Sequence, residues 1–369
     1  MSLAPDGRVI LSWVEKLAEK HYALRFAVRD AKGWSEPRTV AEGTNWFINW
    51  ADFPSVIALS DGTLAAHWLV KSGPQTYAYD VNLSLSKDKG KTWTKPIIPH
   101  TDGTQTEHGF VSLIPLADGR LGATWVDGRN LKGIDADDEE HGPLPASMTL
   151  RFAAVNAEGK LSEEAVLDDR ICECCQTSAA VTSEGIIVAY RDRSPSEVRD
   201  IYYVRKQNGA WSVPRPVHED GWEINACPVN GPSIAADGRR VALAWYTEAQ
   251  DRTRVQIAFS TDAGATFGKP VQVDDGEPVG RVDVMLLADG SALVCWLSGT
   301  MEKGAIKVRR VRADGTLDSI STIAETDLAR QSGFPRMARL GDRAFFAWTQ
   351  FGKPSRVLMA EASLEFYKN

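Results

Sequence analysis

Two runs of this chain crowd chemically active side chains together. Arg170-Ile171-Cys172-Glu173-Cys174-Cys175-Gln176-Thr177 carries an arginine and three cysteines, and Trp222 to Pro232 adds Glu223, Asn225 and a fourth cysteine, Cys227. Clustered thiols support three chemistries. They pair as disulfides in an oxidising compartment, they bind zinc or copper as thiolates, or they serve as reactive redox thiols. Cys-x-Cys-Cys is not the Cys-x-x-Cys spacing of common zinc modules, so the choice stays open. The metal reading takes Cys172, Cys174, Cys175 and Cys227, to which His108 or His218 could add a nitrogen. No cofactor is required by the sequence. Cys295, one residue before Trp296 in an apolar run, reads as a small core residue.

A second group is Tyr190-Arg191-Asp192-Arg193, with Glu197, Arg199 and Asp200 close behind. Guanidinium forks suit planar anions, so Arg191 and Arg193, with Arg170 and Arg281, are candidates to hold a carboxylate, sulfate or phosphate. The competing reading is a self-neutralised ion-pair cluster. Asp52, Glu107, Asp192 and Glu223 are the acid/base candidates, with Asp283 beside them. A pair of such carboxyls cleaves glycosidic bonds, and the gap between them sets the stereochemistry. His108, next to Glu107, is the best-placed general-base histidine. Trp222 and Asn225 are candidate substrate contacts, and Trp46, Phe47 and Trp50 either stack on sugar rings or plug the space where one would sit. The acidic run Asp135 to His141 lacks the glycine and spacing of an EF-hand and reads as solvated.

The elements that must position these residues repeat. Seven times a tight turn leads into an apolar strand that closes on an aromatic. The turns are Asp6-Gly7, Asp61-Gly62, Asp118-Gly119, Glu184-Gly185, Asp237-Gly238, Asp289-Gly290 and Gly341-Asp342; the aromatics are Trp13, Trp68, Trp125, Tyr190, Trp245, Trp296 and Trp348. A period of roughly 50 to 66 residues built from short strands marks a radial repeat. The second copy shows the plan. Pro54 to Ser60 reads as an inner strand, Thr63 to Val70 as a buried second strand, Val81 to Ser86 as a half-buried third, and Trp93 begins a short outer one. The expected fold is therefore all-β: a propeller of four-stranded antiparallel blades in one domain over residues 1–369. Seven units are counted; six blades is the alternative if the terminal copies merge. The first unit is expected to lack its inner strand and the last its outer one. The loops entering the inner strands and leaving the second strands converge on one face, where a site belongs.

Composition excludes several partners. The formal charge is −7 and no basic stripe is visible, which argues against nucleic acid. No apolar run approaches the roughly 18 residues of a membrane span. Met1-Ser2-Leu3 reads as a start placed on a trimmed N-terminus.

Ser86-Lys87-Asp88-Lys89-Gly90-Lys91-Thr92-Trp93 fits Ser-x-Asp-x-Gly-x-Thr-Trp, and Ser260 to Phe267 is a second copy with Phe for Trp. This pattern resembles the Asp-box, or BNR repeat, of the sialidase (neuraminidase) superfamily. The resemblance implies a structural turn away from the active face. For the whole chain it implies a carbohydrate-active protein, a glycoside hydrolase acting on an anionic sugar in the manner of an exo-sialidase. Sialidases carry three carboxylate-binding arginines, a Tyr paired with Glu, and an Asp acid/base; their early Arg-Ile-Pro motif is absent here, and they usually have six blades. Arg170, Cys172 to Cys175, Arg191 to Arg193 and Asn225 to Pro232 together resemble a bacterial sialidase-like branch of Asp-box proteins. The alternative function is a non-catalytic binding or scaffold propeller whose cysteines form a disulfide or metal site. Either reading expects a carbohydrate or another small anionic ligand, and a periplasmic or extracellular location.

Overall fold

The computed structural model describes residues 1–134, 147–300 and 303–364. The acidic run Asp135 to His141 lies outside the described residues. The chain divides into two compact units, Met1–Glu173 and Cys174–Asn369.

The seven repeats are seven antiparallel sheets, the blades of a seven-bladed propeller. The first unit holds blade 1 (2–43), blade 2 (55–86) and blade 3 (108–171); the second holds blade 4 (178–216), blade 5 (233–272), blade 6 (278–326) and blade 7 (336–363). Helix among the described residues is confined to short 3-10 turns such as Arg129–Leu131.

Four of the turns, at Asp6, Asp61, Asp118 and Asp289, are built the same way, the carboxylate accepting from the backbone N–H two residues on. In blade 2 the Asp61 carboxylate accepts from Thr63 N at 2.8 Å, and Gly62 takes φ +84°, a left-handed conformation that costs glycine little. Inner strand Ser55–Ala58 then pairs with Leu64–Lys71, and that strand with Tyr79–Ser86. The second strands of blades 2 to 6 are buried on both faces, and within each unit neighbouring sheets pack against each other. Ile10 and Phe26 of blade 1 meet Val56 and Trp68 of blade 2, and Leu83 of blade 2 meets Leu121 and Trp125 of blade 3. In the second unit Trp245 of blade 5 packs with Ile187 and Tyr203 of blade 4, Trp296 of blade 6 with Ala244 of blade 5, and Phe346 of blade 7 with Leu293 of blade 6. Each fully buried large apolar side chain contributes about 1.5–3 kcal/mol over its exposed state. The closing aromatics supply much of this; Trp13 and Trp348 alone among them are only partly buried.

The two Ser-x-Asp-x-Gly-x-Thr copies form one kind of turn. Asp88 accepts from Ser86 Oγ, Lys91 N, Thr92 N and Thr92 Oγ1 at 2.7–3.0 Å, and Asp262 accepts from Ser260 Oγ, Thr266 N and Thr266 Oγ1. Trp93 then packs edge-on against Phe26, and Phe267 against Tyr203.

Three expectations need correction. Blade 1 has an inner strand after all: Ser2–Leu3 pairs with Val9 and Ile10. Its two residues are too few to show a period. The third strand of blade 2 is buried rather than half-buried, because the segment after it covers its polar face; Ser84 Oγ donates to Thr94 O. That same segment forms no outer strand at Trp93, only a bridge between Leu83 and Ile97. Among the described residues blade 7 has three strands and no outer one, as expected.

Candidate functional site

In the first unit, three side chains from different strand ends meet. Asp52 lies just before an inner strand, Tyr79 opens a third strand, and Glu107 precedes the inner strand His108–Pro115. Tyr79 Oη lies 2.8 Å from Asp52 Oδ2 and 2.7 Å from Glu107 Oε1. The second oxygen of Asp52 accepts from Phe110 N at 2.8 Å. The two carboxyls are thus no farther apart than these two phenol bonds laid end to end. Close approach depends on Gly109, where a Cβ would fall 1.9 Å from Asp52 Oδ2 and 2.8 Å from the Tyr79 ring. Phe47 stacks on Tyr79 at 3.9 Å.

A phenol has one proton, so it can donate to only one of two carboxylates. The other short contact requires a proton on a carboxyl. Burial provides it: Asp52 is lifted to about 7 by desolvation, against the opposing hydrogen bonds from Tyr79 and Phe110 N. Tyr79 is itself pushed well above its ordinary value by burial and by the two neighbouring charges. Asp52 and Tyr79 are buried, while Glu107 is half-exposed. The arrangement is a proton chain with its outer end at Glu107.

Beside it lies a network that sequence spacing did not show. His108 Nδ1 faces the carbonyls of Tyr79 and Thr106 at 3.3 and 3.2 Å, and Nε2 faces Asp102 at 3.3 Å and Asp127 at 3.8 Å. Burial opposes a charge on His108, but Asp102, Asp127 and Asp80 outweigh it and raise its pKa. Arg129 forks Asp127 with two 2.7 Å bonds. Arg151 bonds only Thr149 Oγ1 through Nε and stands 3.7 Å from Asp127. Its two terminal nitrogens have no hydrogen-bond partner among the described residues, at 22% side-chain exposure. Arg151 sits mid-strand in Met148–Val155, where alternation alone gives no hint of function.

The second unit uses its predicted residues otherwise. Arg191 is 1% exposed and donates to the carbonyls of Asn230, Arg199 and Tyr246 at 2.6–3.0 Å, with its guanidinium 4.8 Å from the Trp222 ring. Arg193 and Arg199 both grip Glu197. Arg281 donates to the carbonyls of Ala329 and Gly333, and burial lowers its pKa to about 10. These arginines tie loops together. Trp222 is buried; Glu223 and Asn225 are exposed, and Asp192 is half-exposed with its N–H on Asp200 O. Glu223 joins Trp222, Glu248, Gln250 and Asp251 around a cavity of about 300 Å³. Asp283 accepts from Ser233 Oγ and Met337 N, linking the inner strands of blades 5, 6 and 7.

Arg170 is half-exposed on strand Leu161–Ile171. The sulfurs of Cys172, Cys174 and Cys175 lie within 4.8 Å of one another, whereas Cys227 is exposed on its own loop. Cys295 is buried, and desolvation raises its thiol well above the usual range. Two further sets have metal-ligand proximity, Asp80–His100–His108 and Asp102–His108–Asp127.

No family model and no curated sequence matches the chain. Solved structures do. An ulvan lyase, described as a new family of polysaccharide lyase and bound to GlcA(1-4)Rha3S, is similar at TM-score 0.60 and 10% identity, over 98% of this chain and 91% of that one. The polysaccharide lyase Uly1 matches at TM-score 0.54 and 11% identity, over 97% and 88%. A point variant of NanB sialidase from Streptococcus pneumoniae matches at TM-score 0.52 and 13% identity, over 87% and 69%. Identities this low speak to fold. In fold, the chain is a sialidase-like seven-bladed β-propeller.

Proposed function

We propose that this is a carbohydrate-active enzyme that cleaves a glycosidic bond beside an anionic sugar, at the first unit. The observation that carries the reading is the Asp52–Tyr79–Glu107 proton chain. Glu107, at the open end, meets substrate: the proton carried by Asp52 moves through Tyr79 to Glu107 and on to the departing glycosidic oxygen, while water adds to the anomeric carbon and releases its own proton to solvent. A positioned acid of this kind is worth about 10²–10⁴ in rate. Arg151, with unmet donors, and Arg129 beside it supply the anion contact. The names of the structural neighbours, a sialidase and lyases of a sulfated uronate polymer, guide the choice of substrates.

The test is a panel of fluorogenic glycosides including a sialoside, a glucuronide and sulfated sugars, with ulvan assayed for unsaturated product. Turnover of an anionic member, lowered about 10²-fold or more by Glu107→Gln, is expected. No turnover of any member, or full activity in Glu107→Gln, defeats the proposal. Binding without turnover would make the chain a binding propeller instead.

A further inference from the structure

A buried polar cluster in the first unit lies beside the proton chain and shares none of its three side chains. His100 and His108 stack with ring centres 3.8 Å apart, 5° from parallel. Both are buried. His100 Nδ1 faces Asp102 Oδ1 at 3.2 Å. Asp102 is itself anchored through its other oxygen by Thr104 N and Thr104 Oγ1. On the opposite edge of the ring, His100 Nε2 and Asp80 Oδ1 stand 3.9 Å apart, and neither has a hydrogen-bond partner. His108 Nδ1 is 3.6 Å from the same Asp80 oxygen.

A neutral imidazole carries a bare lone pair on one ring nitrogen; in His100 it is Nε2 that has no hydrogen-bond partner and is open to a cation. Here that lone pair faces a carboxylate oxygen, acceptor against acceptor, inside the protein. Leaving two such buried atoms without a partner is destabilising. A cation between them removes the conflict. Asp127 and Asp102 already have Arg129, at 2.7 and 3.5 Å; among the described residues no lysine or arginine forms an ion pair with Asp80. Asp102, 3.2 Å behind His100 Nδ1, stands where the outer-shell carboxylate of a metal-binding imidazole stands.

We propose that His100 Nε2 and Asp80 Oδ1 bind a divalent transition-metal cation, zinc-like in its taste for imidazole and carboxylate. The parallel stack keeps His108 out of the plane of that cation. His108 becomes the third ligand by turning its ring away from two long contacts, 3.2 and 3.3 Å, to backbone carbonyls. Water completes the shell. Asp80, at 22% side-chain exposure, gives the ion its way in. The inference is independent of the proposed reaction.

The test uses the full chain, stripped with chelator and dialysed, titrated calorimetrically with zinc and spectroscopically with cobalt. The expected result is one ion per chain, with a cobalt spectrum that lacks thiolate charge transfer. Asp80→Asn and His100→Gln should each abolish or weaken binding at least about ten-fold, and Asp102→Asn by about 10–100-fold. Circular dichroism confirms that each variant is folded, and Asp80→Asn, nearest solvent, is the safeguard should His100→Gln not fold. Absence of binding by the wild-type chain overturns the proposal. So does a thiolate band lost in Cys172→Ser, which would place the ion at the cysteines, or undiminished binding by Asp80→Asn.

Discussion

At the residue scale, Asp52 and Arg191 show how burial changes the role of a charged side chain. Asp52 is favoured in its protonated form by the fold, with a pKa of about 7 against roughly 3.9 unfolded. Its contribution to stability is therefore complete below about pH 4 and is lost as pH rises through 7, by at most about 4 kcal/mol. Urea midpoints measured across that range should fall with pH in the wild type, and Asp52→Asn should flatten the slope. An equal slope in the variant would remove Asp52 from this account. Arg191 answers to carbonyls, not to a ligand. Arg191→Ala should lower stability by about 3 kcal/mol, because it strands buried carbonyls. Denaturant titration measures that loss, and retained turnover of anionic substrates by the folded fraction would confirm that the residue is structural.

At the element scale, strand ends set the geometry of the site. Tyr79 and Glu107 are joined by a parallel bridge, and Gly128 N donates to Glu107 O at 2.8 Å, so three strand ends hold the proton chain in register. Gly109 is the point of closest approach. A methyl group there collides with Asp52 and with the Tyr79 ring, which Phe47 stacks against. Gly109→Ala should cost about 1–3 kcal/mol as overpacking and break the Asp52–Tyr79 contact. Thermal melts check the first effect. Loss of the Asp52 pH slope checks the second, and a variant that keeps both stability and slope would contradict the packing described.

At the scale of the whole molecule, net charge opposes the proposed substrate. A chain of formal charge −7 repels a polyanion at distances where local arginines are not yet felt. Raising ionic strength from about 10 mM to 150 mM shortens the Debye length from about 30 Å to 8 Å. kcat/KM for an anionic substrate should then rise about two- to three-fold, with little change for a neutral one. A fall with salt would mean that Arg129 and Arg151 dominate even at long range.

The repeated turn and apolar strand determined the architecture by themselves. Tight turns, five of them Asp-Gly, and strands ending on an aromatic are local patterns, readable within some ten residues, and seven such units made seven sheets. Asp52 and Glu107 were also legible, as carboxylates at the entrances of inner strands. What joins them was not. Tyr79 lies 27 and 28 residues from its two partners, and only the pairing of neighbouring strands brings it between them. Arg191 and Arg281 looked like anion ligands because a sequence shows a guanidinium but not the carbonyls around it; Arg191 finds one of its partners 55 residues away. Arg151 was hidden for the opposite reason, since a lone arginine in a strand carries no mark of unmet donors. Backbone pattern is decided by neighbours in the chain. The use of each charged side chain is decided by which distant groups share its burial, and that is set by tertiary packing.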